Sequence, residues 1–195
     1  HFYETDPARD FVRGYEMQVT RGQGPLISAL GGFGLNVPWG KGHHERFDQV
    51  FGHVATVAVT CEDLPVDTNY VSLDSSVTDQ FGVPAAVMNY EQEANALRMK
   101  FHGIESAKAW LSAAGAKEVL VNPLLSQAGF HLMGTTRMGT DPSNSVVDEN
   151  CRAHDVSNLL IIDAGVFASS AAVNPTPTLQ AVALRAADQF VKAGS

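Results

Sequence analysis

Cysteine is scarce in this sequence, and positive charge is outnumbered. Cys61 and Cys151 are the two cysteines. They lie far apart and form no close pair, so neither a cysteine metal site nor a disulfide framework is indicated. Two free thiols suit a reducing compartment, and a cytoplasmic location is the expectation. Lys and Arg number 13 against 21 Asp and Glu, a formal net charge of −8. Phosphate binding needs clustered Lys and Arg, which do not occur here, so a nucleic-acid partner is excluded. No apolar run approaches the ~20 residues that span a bilayer, so no membrane span is expected. The opening His1-Phe2-Tyr3-Glu4-Thr5-Asp6 lacks the charged-then-apolar pattern of a signal peptide. It also lacks methionine, which reads either as the middle of a longer protein or as a trimmed leader. Internal repeats, low-complexity segments and a clear linker are missing too. What is present is a globular composition, 45% hydrophobic against 17% charged, long enough for one good core or two modest lobes.

Gly14 to Arg21 alternates bulky and polar side chains, the period of a half-buried strand. Gly22 to Gly42 then holds seven glycines and two prolines, too many for a regular element. Its large side chains, Leu26, Leu30, Phe33, Leu35 and Trp39, belong either to an ordered loop over a ligand or to a surface excursion packed by its own residues. His43-His44-Glu45 invites a metal reading. Adjacent histidines face different ways on a helix and no third ligand stands at a recognisable spacing, so a solvated helix start is expected and no metal. Val54 to Thr60, Asn69 to Asp74 and Ala85 to Tyr90 read as short strands with turns between them, which suggests an antiparallel sheet. From Glu91 the period changes. Ala94, Leu97, Phe101, Ile104, Ala107 and Leu111 recur at helical spacing, with Gly115 placed to end the helix. Lys117 to Val121 is expected as a brief strand.

Two later segments carry the chemistry. Phe130 to Gly139 sets one histidine, His131, at the head of a glycine-and-threonine turn. Val156 to Asp163 ends in the apolar run Leu159 to Ile162, as expected for a strand buried on both faces. The strand stops at Asp163-Ala164-Gly165, where small residues let a ligand approach the backbone, and ligands lie beyond the carboxyl ends of strands in open α/β sheets. Asn174-Pro175-Thr176-Pro177-Thr178 then opens a last helix with Leu179, Val182, Ala183, Ala186 and Phe190 on one face. The unpaired N–H groups at such a start favour an anion in front of it. Asn174 stands just before that point with a side chain that both donates and accepts. A lone histidine is more often structural, and an Asn before a helix is more often a cap; His102 and His154 are read as structural.

The set His131-x-x-Gly134-Thr135-x-Arg137-Met138-Gly139, then Val147-Asp148, the strand into Asp163, and Asn174-Pro175-Thr176 resembles the C-terminal signature of the glucose–methanol–choline (GMC) oxidoreductases. The resemblance covers residues 130 to 190 and is weaker before them. It implies FAD-dependent oxidation of a primary or secondary alcohol, sugars and polyols included. His131 matches the catalytic histidine, which takes the hydroxyl proton while hydride passes to flavin N5, and Asn174 matches the second active-site position. Asp163 and Ala164 match the strand end beside the ribityl and pyrophosphate, and Asn174, Pro175 and Thr176 match the segment against the flavin pyrimidine ring. Pro177 departs from the pattern, which has an apolar residue there. The implied fold class is α+β with an α/β portion. Residues 1–129 form part of a substrate-binding domain built on an antiparallel sheet with helices. Residues 130–195 complete a Rossmann-like FAD-binding domain. The family's Gly-x-Gly-x-x-Gly fingerprint is absent, and Gly22 to Gly32 does not supply it. The expected partner is therefore an N-terminal FAD-binding polypeptide or segment of the same enzyme, with this chain as the C-terminal half. Two alternatives stay open: a hydroxynitrile-lyase-type member whose flavin is not reduced, and a non-catalytic scaffolding subunit.

Overall fold

Alternation and helical spacing are local signals, and most of the regular elements they predict form. A computed structural model describes residues 5–32, 34–125 and 129–193. In chain order its elements are β1 (Tyr15–Arg21), α1 (Pro25–Leu30), α2 (His43–Val50), β2 (Ala55–Cys61), β3 (Tyr70–Thr78), β4 (Pro84–Asn89), α3 (Ala94–Ala113), a 3-10 turn (Ala164–Val166) and α4 (Thr176–Lys192). The chain divides into two compact units, His1–Cys61 with Asn95–Ala128 and Glu62–Ala94 with Gly129–Ser195. One cut falls beside the expected boundary at 129; the other two group Glu62–Ala94 with the C-terminal residues. The expected sheet of short strands is instead two separate antiparallel pairs, β1–β2 and β3–β4. No helix among the described residues is long and apolar enough to cross a membrane.

In the first unit β1 pairs with β2 from Tyr15↔Cys61 to Arg21↔Ala55. Phe11, Tyr15 and Met99 form its core, with Met17, Val59 and Cys61 packed against them. The face that α3 buries is rotated from the one its apolar spacing suggests. Ala96, Met99, Gly103 and Ala107 are buried, while Phe101 is 58% exposed. The cause is Gly103: a Cβ there would stand 2.5 Å from Val59 Cγ1 and 3.3 Å from the Tyr15 ring, so the strands seat on the glycine line. The Tyr15 hydroxyl lies 2.8 Å from His102 Nδ1 and 3.1 Å from Ser106 Oγ, which gives His102 a structural role. Asn95 receives the Val12 amide at 2.7 Å and donates to the Val12 carbonyl at 3.1 Å, standing in for a strand neighbour. At the far end Gly115 (φ +88°) closes α3: Ala116 N–H donates to Leu111 O and Gly115 N–H to Ser112 O.

The glycine-rich segment is more regular than its composition predicts. Pro25 sits in the first turn of α1, where a missing N–H costs nothing, and Gly31 at φ +80° ends it with a bond to Ile27 O. Leu26, Leu30 and Trp39 stay exposed, so the segment is not packed by those side chains; Phe33 lies outside the described residues. His43 and His44 begin α2 as expected, their rings perpendicular, with His43 Nδ1 bonded to Pro38 O. The strand expected at Lys117 to Val121 does not form, and Arg46 pairs with Glu118 there at 3.1 Å.

The second unit holds the β3–β4 hairpin, in register from Tyr70↔Asn89 to Leu73↔Ala86, with an irregularity before Thr78↔Pro84. Asp74 Oδ1 accepts from the Ser76 and Val77 amides and the Ser76 hydroxyl at that irregularity. The core of this unit is Val147, Cys151, Val166 and Ala186, with Met138, Ile161 and Val182 packed against it. Cys151 is buried at φ +64°, and burial raises its thiol pKa; both cysteines are free. The strand expected over Val156 to Asp163 is reduced to a single antiparallel bridge, Arg152↔Leu160, with Leu159 and Ile162 nearly half exposed. A strand buried on both faces needs hydrogen-bonded neighbours on each side, and the described residues supply only that bridge.

Candidate active site

The histidine turn is built on the backbone of another turn. Gly134 N–H reaches Ala164 O (3.4 Å), Thr136 N–H reaches Gly165 O (3.0 Å) and Met138 N–H reaches Val166 O (2.8 Å). Every second amide of one segment thus meets successive carbonyls of the other. Glycine is required at two points of this ladder. Gly134 has φ +90° against Phe167 O. At Gly165 a Cβ would stand 2.4 Å from Thr136 Oγ1 and 2.8 Å from Asp163 Oδ1. Asp163 caps the 3-10 turn, its Oδ1 accepting the Gly165 amide at 2.7 Å. Thr136 Oγ1 is buried and lacks a hydrogen-bond partner among the described residues.

The far side of the turn is fixed as firmly. Gly139 N–H donates to Val147 O and Val146 N–H to Arg137 O, while Arg137 Nε donates to Asn144 O at 2.6 Å. His154 Nε2 lies 3.0 Å from Ser145 Oγ and 3.2 Å from Gly139 O, a structural role as expected. An open hollow of about 250 Å³ lies here, lined by Thr135, Arg137, Ser143, Asn144, Ser145 and Val146. It includes neither His131 nor Asn174, so it is a groove beside the turn rather than the candidate site.

The structure therefore brings together the histidine turn and the Asp163–Ala164 turn. His131 is exposed in the irregular stretch ahead of the former turn, between Phe130 (80% exposed) and Leu132. Asn174, also exposed, lies outside the ladder. It stands one residue ahead of the N-cap of the following helix, which is Pro175. Pro177 occupies the second helical position, where a proline sacrifices no hydrogen bond, so the helix forms in spite of the departure from the family pattern. The first helical bond runs from Leu179 N–H to Pro175 O. Pro175 and Pro177 have no N–H, which leaves Thr176 and Thr178 as the donors of the first turn, and no acidic residue lies there. That donor set fits the negatively charged N1–C2 carbonyl edge of a reduced flavin.

One cluster had no signal in the sequence. Tyr90 donates its hydroxyl to Asp63 Oδ2 at 2.6 Å, and Ser170 donates to Asp63 O at 2.9 Å. Burial and then the Asp63 carboxylate raise the Tyr90 phenol well above its ordinary pKa. Residues 63, 90 and 170 share no periodicity or motif spacing, and only the fold joins them.

A family model described as GMC oxidoreductase matches residues 65–183. Among curated proteins, the chain is 41% identical over 189 residues to 2-methyl-1,2-propanediol dehydrogenase of Mycolicibacterium austroafricanum, covering 96% of this chain and 34% of that protein. It is 38% identical over 126 residues to paromamine 6'-oxidase of Streptomyces fradiae, 64% of this chain and 23% of the oxidase. It is 31% identical over 152 residues to the fructose dehydrogenase large subunit of Gluconobacter japonicus, 78% of this chain and 28% of the subunit. The chain thus spans about a quarter to a third of the length of these relatives. Among solved structures, pyridoxine 4-oxidase from Mesorbium loti superposes with a TM-score of 0.52 at 23% identity, over 70% of this chain and 29% of that one, a likeness of fold.

Proposed function

The chain belongs to the GMC oxidoreductase family, and on that premise we propose that it is the C-terminal part of a flavin-dependent enzyme that oxidises the CH–OH group of a small alcohol, diol or sugar. The observation that carries this reading is the ladder holding the His131 turn on the Asp163–Phe167 turn. It fixes the chain from Gly134 onward, three residues after His131, and general-base work requires a histidine carried on such a framework. The names of two relatives agree in substrate class, since a propanediol and fructose both offer hydroxyl groups.

Members of this family are flavoproteins, and here the flavin, when bound, supplies the acceptor for the two electrons leaving the alcohol carbon. Asp163 and Ala164 would lie along its ribityl and pyrophosphate, and Asn174, Pro175 and Thr176 against its pyrimidine ring. His131 takes the hydroxyl proton at a ring nitrogen; imidazole is the side chain suited to that task near neutral pH. The Asn174 amide donates to the same oxygen as negative charge gathers there. Residues 130–195 complete the FAD-binding domain, and residues 1–129 form part of the substrate-binding domain. The partner is an N-terminal FAD-binding segment or polypeptide that brings the dinucleotide fingerprint. The large-subunit relative lends weight to a multi-subunit arrangement.

The test uses the whole enzyme that contains this chain. Its visible spectrum is expected to show flavin bands, and anaerobic addition of a diol or sugar should bleach them. His131→Ala should lower kcat by about 10²–10⁴-fold with flavin still bound. Turnover without bleaching would point to lyase chemistry, and unchanged turnover in His131→Ala would leave the chain a scaffold.

A further inference from the structure

Asn174 stands at the end of a segment with little structure of its own. From Ala168 to Val173 no residue makes a backbone–backbone hydrogen bond among the described residues. Its residues are small, Ala-Ser-Ser-Ala-Ala-Val, so there is little side-chain bulk to wedge it in place. Within Ala168–Val173 itself, Ala172 is buried at 4% exposed, and the Ser170 hydroxyl donates to the main-chain carbonyl of Asp63 at 2.9 Å. Asp63 is in turn held by its own side chain, because Oδ2 accepts the Tyr90 hydroxyl at 2.6 Å. Asp63 Oδ1 is buried and has no hydrogen-bond partner among the described residues, so the Tyr90 bond is the carboxylate's tie within them. All three residues lie in one compact unit with Asn174.

We propose that Ser170, Asp63 and Tyr90 form a positioning clamp for Asn174, setting where its amide stands over the substrate oxygen. Tyr90 fixes the Asp63 carboxylate, the Asp63 carbonyl receives Ser170, and Ser170 holds the segment four residues ahead of Asn174. The proposal rests on the role given to Asn174 above. A misplacement of about 1 Å in a catalytic group is enough to cost up to about 10²-fold in rate, so loss of one tether should be visible in kcat. The raised pKa of Tyr90 is consistent with a phenol that stays protonated and donating throughout the working pH range.

A double-mutant cycle in the whole enzyme separates this role from general stability. Ser170→Ala should lower kcat about tenfold with KM little changed, and Ser170→Thr, which keeps the hydroxyl, should restore most of it. Tyr90→Phe, which removes one oxygen and little volume, should act in the same direction. In an Asn174→Ala background, Ser170→Ala should have almost no further effect, because the group it positions is gone. Unchanged kcat in Ser170→Ala, no rescue by Thr, or multiplicative losses in the double variant would overturn the clamp. If Asn174→Ala alone leaves kcat unchanged, the role of Asn174 in the reaction fails first, and the clamp with it.

Discussion

Asp6, Asp74, Asp79, Asp141, Asp148 and Asp163 each accept, through one carboxylate oxygen, the main-chain amide two residues further on. This is the Asx turn, in which a short carboxylate imitates a backbone carbonyl and closes a loop. Six of the 21 acidic side chains thus help to close loops. The D-x-x spacing does not by itself reveal these turns, because a lone aspartate gives no sign of which loop it closes. Asp74 shows the energetic consequence. The Ser76 hydroxyl first, then the Ser76 and Val77 amides, lower its pKa from 3.8. Because the folded value is depressed, the stabilisation is present above the unfolded pKa and is lost as pH falls through the folded one. Ser76→Ala should move the Asp74 midpoint upward in a carboxyl NMR titration. An unmoved midpoint would show that the hydroxyl does not hold the charge.

Among the elements, α3 shows what a pattern reveals and what it hides. Helical spacing from Ala94 to Leu111 marks the helix, and Gly115 marks its end, because both depend on local geometry. The buried face turns on Gly103, and apolar spacing assigns a glycine no face at all. Gly103→Ala should destabilise the fold by about 1–3 kcal/mol through overpacking against Val59 and Tyr15. Urea unfolding measures it, and a gain in stability from the better helix former would contradict the close packing described. The same limit explains Val156 to Asp163 and Lys117 to Val121. Their β-branched and aliphatic residues favour extension, but a strand exists only where a neighbour accepts its hydrogen bonds, and a neighbour is not a property of the run itself. At the site, the ladder of Gly134, Thr136 and Met138 on Ala164, Gly165 and Val166 joins residues some thirty positions apart. The motif indicated that those segments belong together. The offset of the ladder and the exclusion of a side chain at Gly165 are properties of the fold that the motif does not carry.

Over the whole molecule, large apolar side chains remain uncovered. Leu73 (69%), Met88 (72%), Phe81 (80%) and Trp39 (82%) are mostly exposed, as are Leu184 and Val191 on α4. Monomeric proteins seldom leave much contiguous apolar surface open, and a chain spanning about a third of its relatives' length should do so. These 195 residues alone should enhance and blue-shift the fluorescence of an apolar dye such as ANS, and the whole enzyme should do so much less. Equal dye binding in the two would mean that the remainder covers none of these side chains. The interleaving of the two units has a different consequence, in time. Each unit combines two separate stretches, so the β3–β4 hairpin leaves the ribosome before its own unit can close. It waits while the roughly 100 residues through α4 are made, about 5–20 s at ordinary rates of synthesis. For that interval the hairpin's unit lacks the Val147, Cys151, Val166 and Ala186 core that it is built around.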